Sequence, residues 1–363
     1  MKDLDKYRGC LIGGAVGDAL GYAVEFLEDS QIFERYGEYG ITEYALENGL
    51  APISDDTQMT LFTANGLLLG TTRGIIEPYP SYIGRCYQDW YKTQTTNAPL
   101  SQPEHSWLNN LPEMNHRRAP GITCLQALKN GRLGSVDHPV NRSKGCGGIM
   151  RVAPIGLYFE YGSADEVDLI GAEAAALTHG HELGYIPAAM LVHMIHLLVH
   201  GGAACILAAV KGAMDAAKQL FPAAVHLQEM LNLADRAIAL SSCRELDDLE
   251  AIRTLGQGWV AEETLAIAIY CALKYEDDFE QAIIAAVNHS GDSDSTGAVT
   301  GNLLGAHLGL KAIPQKFLTH LELRDTIMEI ADDLYNDYPI SESGNFRHLA
   351  WKAKYITHTY PHS

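Results

Sequence analysis

Two short acidic clusters, far apart in the chain, each lead directly into an apolar stretch of helical character. The first is Ser54-Asp55-Asp56-Thr57 and the second is Gly291-Asp292-Ser293-Asp294-Ser295-Thr296. Ser54 suits a helix N-cap, which puts Asp55 and Asp56 in the first turn, where the helix dipole favours exposed acids by up to about 1 kcal/mol each. A capped helix explains the first cluster by itself. The second adds a constraint, because Asp292 and Asp294 stand two apart, as in a turn that aims both at one point. Two acidic helix starts at one end of a bundle repel each other unless cations lie between them. Four carboxylates with neighbouring hydroxyls form a hard oxygen shell, suited to Mg²⁺ or Mn²⁺ rather than zinc or copper. Two such ions can polarise a substrate and generate a nucleophilic water, so the pattern predicts a metal-assisted hydrolase.

Around these clusters the signals are helical. Gly297, Gly301 and Gly305 recur every fourth residue after the second cluster and give one helix face a smooth surface for close packing. Arg8 to Phe26 is rich in Gly and Ala, which again lets helices approach tightly. Met59, Phe62, Leu67 and Leu68 fit one helical face. Helices are also expected over Leu169 to Thr178, Tyr185 to Val199, Ala204 to Gln219, Glu262 to Tyr275, Phe279 to Val287 and Thr296 to Leu308. The best strand candidate is Val152 to Phe159. The stretch from Gly70 to Gly121 is the least regular, and from Thr93 it reads as a long surface excursion. With no linker and no fixed-period repeat, the expectation is an all-α fold in one compact multi-helix domain over residues 1–363.

Composition narrows the function. The chain has 363 residues, 47% of them hydrophobic, and a formal net charge of -19 from 45 acidic and 26 Lys and Arg residues. It lacks the basic footprint that nucleic-acid binding needs, so no nucleic-acid partner is expected. Seven cysteines without a Cys-x-x-Cys pair argue against a disulfide framework and for a reducing compartment. The polar start, Met1 to Arg8, is no secretory signal. Ile186 to Val210 is strongly apolar, but His193, His196, His200 and Gly201-Gly202 interrupt it. A buried core helix followed by a second helix fits better than a membrane span. The reading is a cytoplasmic protein with no membrane partner.

Three further motifs carry chemistry. Glu25 is a lone acid at the end of the Gly-rich Gly13 to Gly21 segment, where it can serve as a poised acid/base. Gly145-Cys146-Gly147-Gly148 is a Gly-rich loop able to bring N–H groups against phosphate oxygens, or an ordinary turn. Cys146 has no partner pattern that would make it a nucleophile. His179, in Thr178-His179-Gly180-His181, is a substrate contact or a satisfied polar residue. His193, His196 and His200 share a helical face and read as core or interface histidines.

Taken together, these motifs resemble the ADP-ribosylglycohydrolases, the group that includes the enzyme reactivating dinitrogenase reductase. The resemblance runs from Gly9-Cys10-Leu11-Ile12-Gly13-Gly14 through Gly17-Asp18-Ala19-Leu20-Gly21 and Val24-Glu25-Phe26 to Ser54-Asp55-Asp56-Thr57 and Arg118-Ala119-Pro120-Gly121. It continues through Gly147-Gly148-Ile149-Met150-Arg151 and Leu177-Thr178-His179 to Gly291-Asp292-Ser293-Asp294-Ser295 and Leu323-Arg324-Asp325. It implies an all-helical fold with a dinuclear Mg²⁺ or Mn²⁺ centre. By motif position the ligands would be Ser54, Asp55, Asp56, Asp292, Asp294 and Ser295. Glu25, Asp55 and Asp56 would handle protons. Gly145, Cys146, Gly147 and Gly148 would lie along the ADP-ribose phosphates, with His179 near the substrate. Ser54 and Ser295 stand where many relatives carry Thr, and keep the hydroxyl. Asn288-His289-Ser290 is more polar than in many relatives and is expected beside the leaving group.

The expected reaction releases ADP-ribose from a modified protein side chain, arginine-linked first and serine- or O-acetyl-linked second. A rival reading is an ADP-ribose-binding or immunity partner in a toxin pathway; the intact acids favour an enzyme. An unrelated dimetal phosphatase would explain the acids but not the Gly-rich motifs.

Overall fold

The computed structural model describes residues 2–96, 103–243, 245–337 and 348–360. In these residues the chain forms seventeen α-helices and no sheet. They begin with α1 (Leu4–Tyr22), α2 (Asp29–Tyr36), α3 (Asp55–Thr72), α4 (Tyr79–Thr95), α5 (Ile122–Lys129) and α6 (Ala153–Tyr158). Next come α7 (Ala164–Ala176), α8 (Glu182–His200), α9 (Ile206–Leu220), α10 (Leu227–Ser241), α11 (Asp248–Leu255) and α12 (Ala261–Lys274). The last are α13 (Phe279–Val287), α14 (Ser293–Leu308), α15 (Gln315–Thr319), α16 (Arg324–Asn336) and α17 (Leu349–Tyr355).

The closest helix pair is α1 against α14, running antiparallel. Gly9, Gly13 and Gly17 meet Gly305, Gly301 and Gly297 in turn, and Gly21 meets Ser293. At Gly17 a Cβ would stand 2.0 Å from the Gly297 carbonyl oxygen, so the backbones touch. Asn302 Nδ2 adds a 2.8 Å bond to the Cys10 carbonyl oxygen. Helix α3 lies beside this pair and is buried along nearly its whole length. Central helices buried on every side explain why α1, α3 and α14 read as small and apolar rather than amphipathic. Their packing brings the end of α1 and the starts of α3 and α14 together.

Helix α8 is long and apolar enough to cross a membrane, yet 89% of its apolar window is buried against the rest of the fold. It ends at left-handed Gly201, and α9 follows. His193 Nδ1 lies 2.7 Å from Asp168 Oδ2, and His200 Nε2 lies 3.0 Å from the Leu157 carbonyl oxygen, so these are core histidines.

Three expectations need correction. Residues 152–159 hold helix α6 and not a strand: the run is buried on both faces, and a fully buried apolar segment carries no period to separate the two. The irregular stretch contains the seventeen-residue helix α4. The excursion from Thr93 is anchored inward where it is described. Trp107, Leu108 and Met114 are buried, and Asp89 Oδ2 accepts from the backbone N–H groups of His105 (2.7 Å) and Ser106 (3.1 Å). Residues 97–102 of that excursion lie outside the described residues.

Candidate active site

Ser54 is the N-cap of α3 and accepts from the Asp56 N–H at 3.2 Å; Asp55 and Asp56 occupy the first turn. Asp292 is the N-cap of α14, with Asp294 in its first turn. Both clusters are thus capped helix starts, and the packing of α1, α3 and α14 brings them together. The Asp294 charge bears on both Asp55 and Asp56, which puts the two clusters within electrostatic reach of each other.

One acid of each cluster, Asp55 and Asp292, is held from outside it. Asp55 Oδ2 accepts from Gly121 N–H at 3.1 Å, and Asp55 N–H donates to the Arg118 carbonyl at 3.0 Å. The segment Arg118 to Gly121 therefore clamps Asp55, with Ala119 in the left-handed region at φ 50°. Asp292 N–H donates to the Gln257 carbonyl at 2.8 Å, and Cys146 Sγ donates to Asp292 Oδ2 at 2.7 Å. Gly291, at φ 144°, packs so closely on Gln257 that a Cβ would stand 2.0 Å from its carbonyl oxygen.

One residue in this site lies in the Gly17 to Gly21 motif but was given no role from the sequence. Asp18, fully buried in α1, accepts from Ser54 N–H at 3.0 Å, from Thr57 N–H at 3.1 Å and from the Thr57 hydroxyl. It satisfies the free N–H groups at the start of α3 from a neighbouring helix. Its only sequence signal was an acid inside a Gly-rich apolar helix. Helix α1 stops at Tyr22, so Glu25 sits in the turn that follows, 7% exposed.

The electrostatics are extreme. Burial raises Asp55, Asp56 and Asp294 well above the usual carboxylate range, and their mutual repulsion adds to it. Burial, then Asp294 and its neighbours, likewise pushes Glu25 and Asp18 up. Glu25 Oε2 and Asp56 Oδ2 are buried with no hydrogen-bond partner among the described residues. A buried carboxylate oxygen without a donor is costly, and a cation is the partner that removes the cost. The donor set of carboxylates and hydroxyls therefore fits a hard divalent ion. Among the described residues no three His, Cys, Asp or Glu side chains are drawn together as a closed metal-holding group.

The Gly-rich loop lies beside Asp292. Cys146–Gly148 is a 3₁₀ turn; Cys146 N–H is committed to the Trp259 carbonyl at 3.2 Å and Gly145 N–H to Ser143 Oγ at 3.3 Å. Gly147 and Gly148 are buried. His179 supports this loop from beneath: a Cβ on Gly147 would lie 3.0 Å from its Cε1. It is 2% exposed, its Nδ1 bonds the Thr178 hydroxyl at 2.8 Å, and burial with the Arg151 charge lowers it to about 3. The neutral, satisfied polar role fits this placement better than a direct contact. Arg151, fully buried, holds Thr178 Oγ1 at 2.7 Å and lies 4.3 Å from the Tyr87 ring centroid. Asn288 and Ser290 are spent on backbone: Asn288 bonds both polar groups of Ile41, and Ser290 Oγ accepts from Asp29 N–H. Those two residues are structural anchors in this fold.

Residues 1–343 match the family profile described as ADP-ribosylglycohydrolase. The chain is 25% identical to the zebrafish (Danio rerio) ADP-ribosylhydrolase ARH3, over 95% of this chain and 94% of that protein. It is 25% identical to ADP-ribosyl-[dinitrogen reductase] glycohydrolase of Rhodospirillum rubrum, over 88% and 91% of the two chains. A solved ADP-ribosylglycohydrolase-related protein complex shares the fold, with TM-score 0.56 and 24% identity over 92% of this chain and 98% of that one.

Proposed function

From the premise that this chain belongs to the ADP-ribosylglycohydrolase family, and is a glycosidic-bond hydrolase acting on ADP-ribosylated substrates, we propose that it frees ADP-ribose from arginine side chains of a modified protein. The observation that carries the reading is the meeting of two acidic helix starts, with Glu25 Oε2 and Asp56 Oδ2 left buried and unpartnered.

Ser54, Asp55, Asp56, Asp292, Asp294 and Ser295 would hold two Mg²⁺ or Mn²⁺ ions. When bound, such ions supply positive charge that orients sugar hydroxyls and acidifies water. Asp18 fixes the start of α3, and with it the directions of Asp55 and Asp56. Gly121 aims Asp55, and the Cys146 thiol aims Asp292. Glu25, in a water-poor setting beside the acids, holds or passes a proton at Oε2. The Gly145 to Gly148 loop, stiffened by His179, lines the phosphate side. Arginine comes first by similarity to the dinitrogen reductase glycohydrolase and to an ADP-ribosylarginine hydrolase of Pseudomonas putida. The seven cysteines are all free, in keeping with a reducing, cytoplasmic setting.

The test is release of free ADP-ribose from an arginine-ADP-ribosylated protein in Mg²⁺, Mn²⁺ or EDTA. Release that needs the ion is expected. A variant with Asp55→Ala and Asp294→Ala should lose turnover, and full activity there would sink the dinuclear scheme. Release only from serine- or O-acetyl-linked substrates would reassign the linkage.

A further inference from the structure

We infer that Phe26 and Trp259 form an aromatic platform for the guanidinium group of the modified side chain, and so select arginine-linked substrates. Their rings are near-parallel, 22° apart in plane and 6.3 Å between centroids. Phe26 is 71% exposed and Trp259 40% exposed, whereas Trp90, Trp107 and Trp351 are all buried. Two large aromatic rings, stacked and open to water, mark a binding surface.

Both rings are tied to the acidic site by the chain itself. Phe26 follows Glu25 in the turn after α1. The Trp259 carbonyl accepts from Cys146 N–H, and the Cys146 thiol holds Asp292. Before it, Gly258 (φ 83°) lets the backbone press on the start of α14, where a Cβ would lie 3.3 Å from the Asp292 carbonyl oxygen. The platform therefore stands at the rim of a cluster that includes Asp55, Asp56, Asp292, Asp294 and Glu25.

Guanidinium is planar, delocalised and weakly hydrated, and it stacks on aromatic faces. In the hydrolysis, the water oxygen bonds the anomeric carbon, the bond from that carbon to the guanidine nitrogen breaks, and the nitrogen takes a proton. The guanidinium is cationic in the conjugate and again in the product once that proton is in place, so it stacks on the rings throughout. A serine hydroxyl has no such face.

The inference rests on the ADP-ribose hydrolase reading, so its test has an arm without turnover. The first arm compares the native chain with a Phe26→Leu, Trp259→Leu double variant on ADP-ribosylated agmatine. KM should rise about tenfold while kcat stays within about twofold. Inhibition by free ADP-ribose should be unchanged. An unchanged KM overturns the platform, as does an equal weakening of ADP-ribose inhibition, which would mean that the rings stack adenine. The second arm titrates agmatine, with ADP-ribose present, and reads the fluorescence lost in a Trp259→Phe control. Saturable quenching by agmatine and not by ethanolamine is expected. Quenching without hydrolysis of any conjugate would sink the hydrolase reading and leave the platform; hydrolysis without quenching would overturn the platform alone.

Discussion

Gly13 and Gly301 face each other backbone to backbone. A Cβ on Gly301 would stand 1.9 Å from the Gly13 carbonyl oxygen, and one on Gly13 would stand 2.3 Å from the Gly301 carbonyl oxygen. Neither neighbour is a flexible side chain, so nothing can give except the helices themselves. Gly301→Ala should therefore cost about 3 kcal/mol or more, despite the better helix propensity of alanine. The same separation of α1 from α14 would shift Asp18 against Asp294. Chemical denaturation and cation affinity, measured on one variant, should fall together.

Asp18 acts through the residues it holds. Its carboxylate satisfies two backbone N–H groups and one hydroxyl at the start of α3. Asp18→Ala strands these donors in a buried place, at a cost of about 1–3 kcal/mol for each unsatisfied group. Asp18→Asn keeps one acceptor oxygen and should fold. It should still lose about 10–100-fold in cation affinity, as expected for a group that orients ligands from behind. Calorimetric titration with Mn²⁺ reads this directly, and wild-type affinity in the Asn variant would remove Asp18 from the site.

How much of this was legible depends on which signals were local. The cap at Ser54 is short-range chemistry, and α3 starts where it puts it; α14 instead starts at Ser293, ahead of the expected Thr296, with Asp292 as its cap and Asp294 inside the helix rather than in an extended turn. The every-fourth-residue glycines announced a contact face; the matching row at Gly9, Gly13 and Gly17 is its partner in space. Asp18 was hidden because its partners lie 36 and 39 residues away. Residues 152–159 misled because burial on every side erases periodicity. Tertiary capture also explains Trp107 and Leu108, whose stretch is drawn inward by Asp89 and not by any regular pattern of its own.

Cys146 donates its thiol to Asp292, and burial, then the charges of Asp292 and Asp56, raise its pKa well above the ordinary thiol value. A thiol that stays protonated is a poor nucleophile. Cys146→Ser keeps a donor and should retain activity within about threefold, whereas Cys146→Ala leaves Asp292 short of a partner and should lose about tenfold or more. Brief alkylation near neutral pH should modify exposed Cys243 and spare Cys146. Mass spectrometry of the peptides separates the two, and early labelling of Cys146 would contradict the half-buried, hydrogen-bonded thiol.

The acid cluster also sets how stability depends on pH. Asp55, Asp56 and Asp294 have folded-state values raised above their unfolded ones, chiefly by burial. Above about pH 4 the unfolded chain has released protons that the cation-free fold still holds. Unfolding then releases protons, so this contribution is fully present below the unfolded pKa and is lost as pH rises through the folded values. A divalent cation displaces the same protons, so its binding strengthens with pH. At a cation concentration a hundredfold above Kd the added stability is about 2.7 kcal/mol. The EDTA-treated protein should therefore gain thermal stability on adding Mn²⁺ or Mg²⁺, and gain more at about pH 8 than at about pH 6. Asp55→Asn combined with Asp294→Asn should flatten both the pH dependence and the cation effect. A gain that is equal at the two pH values, or that survives in this double variant, would place the cation somewhere other than between α3 and α14.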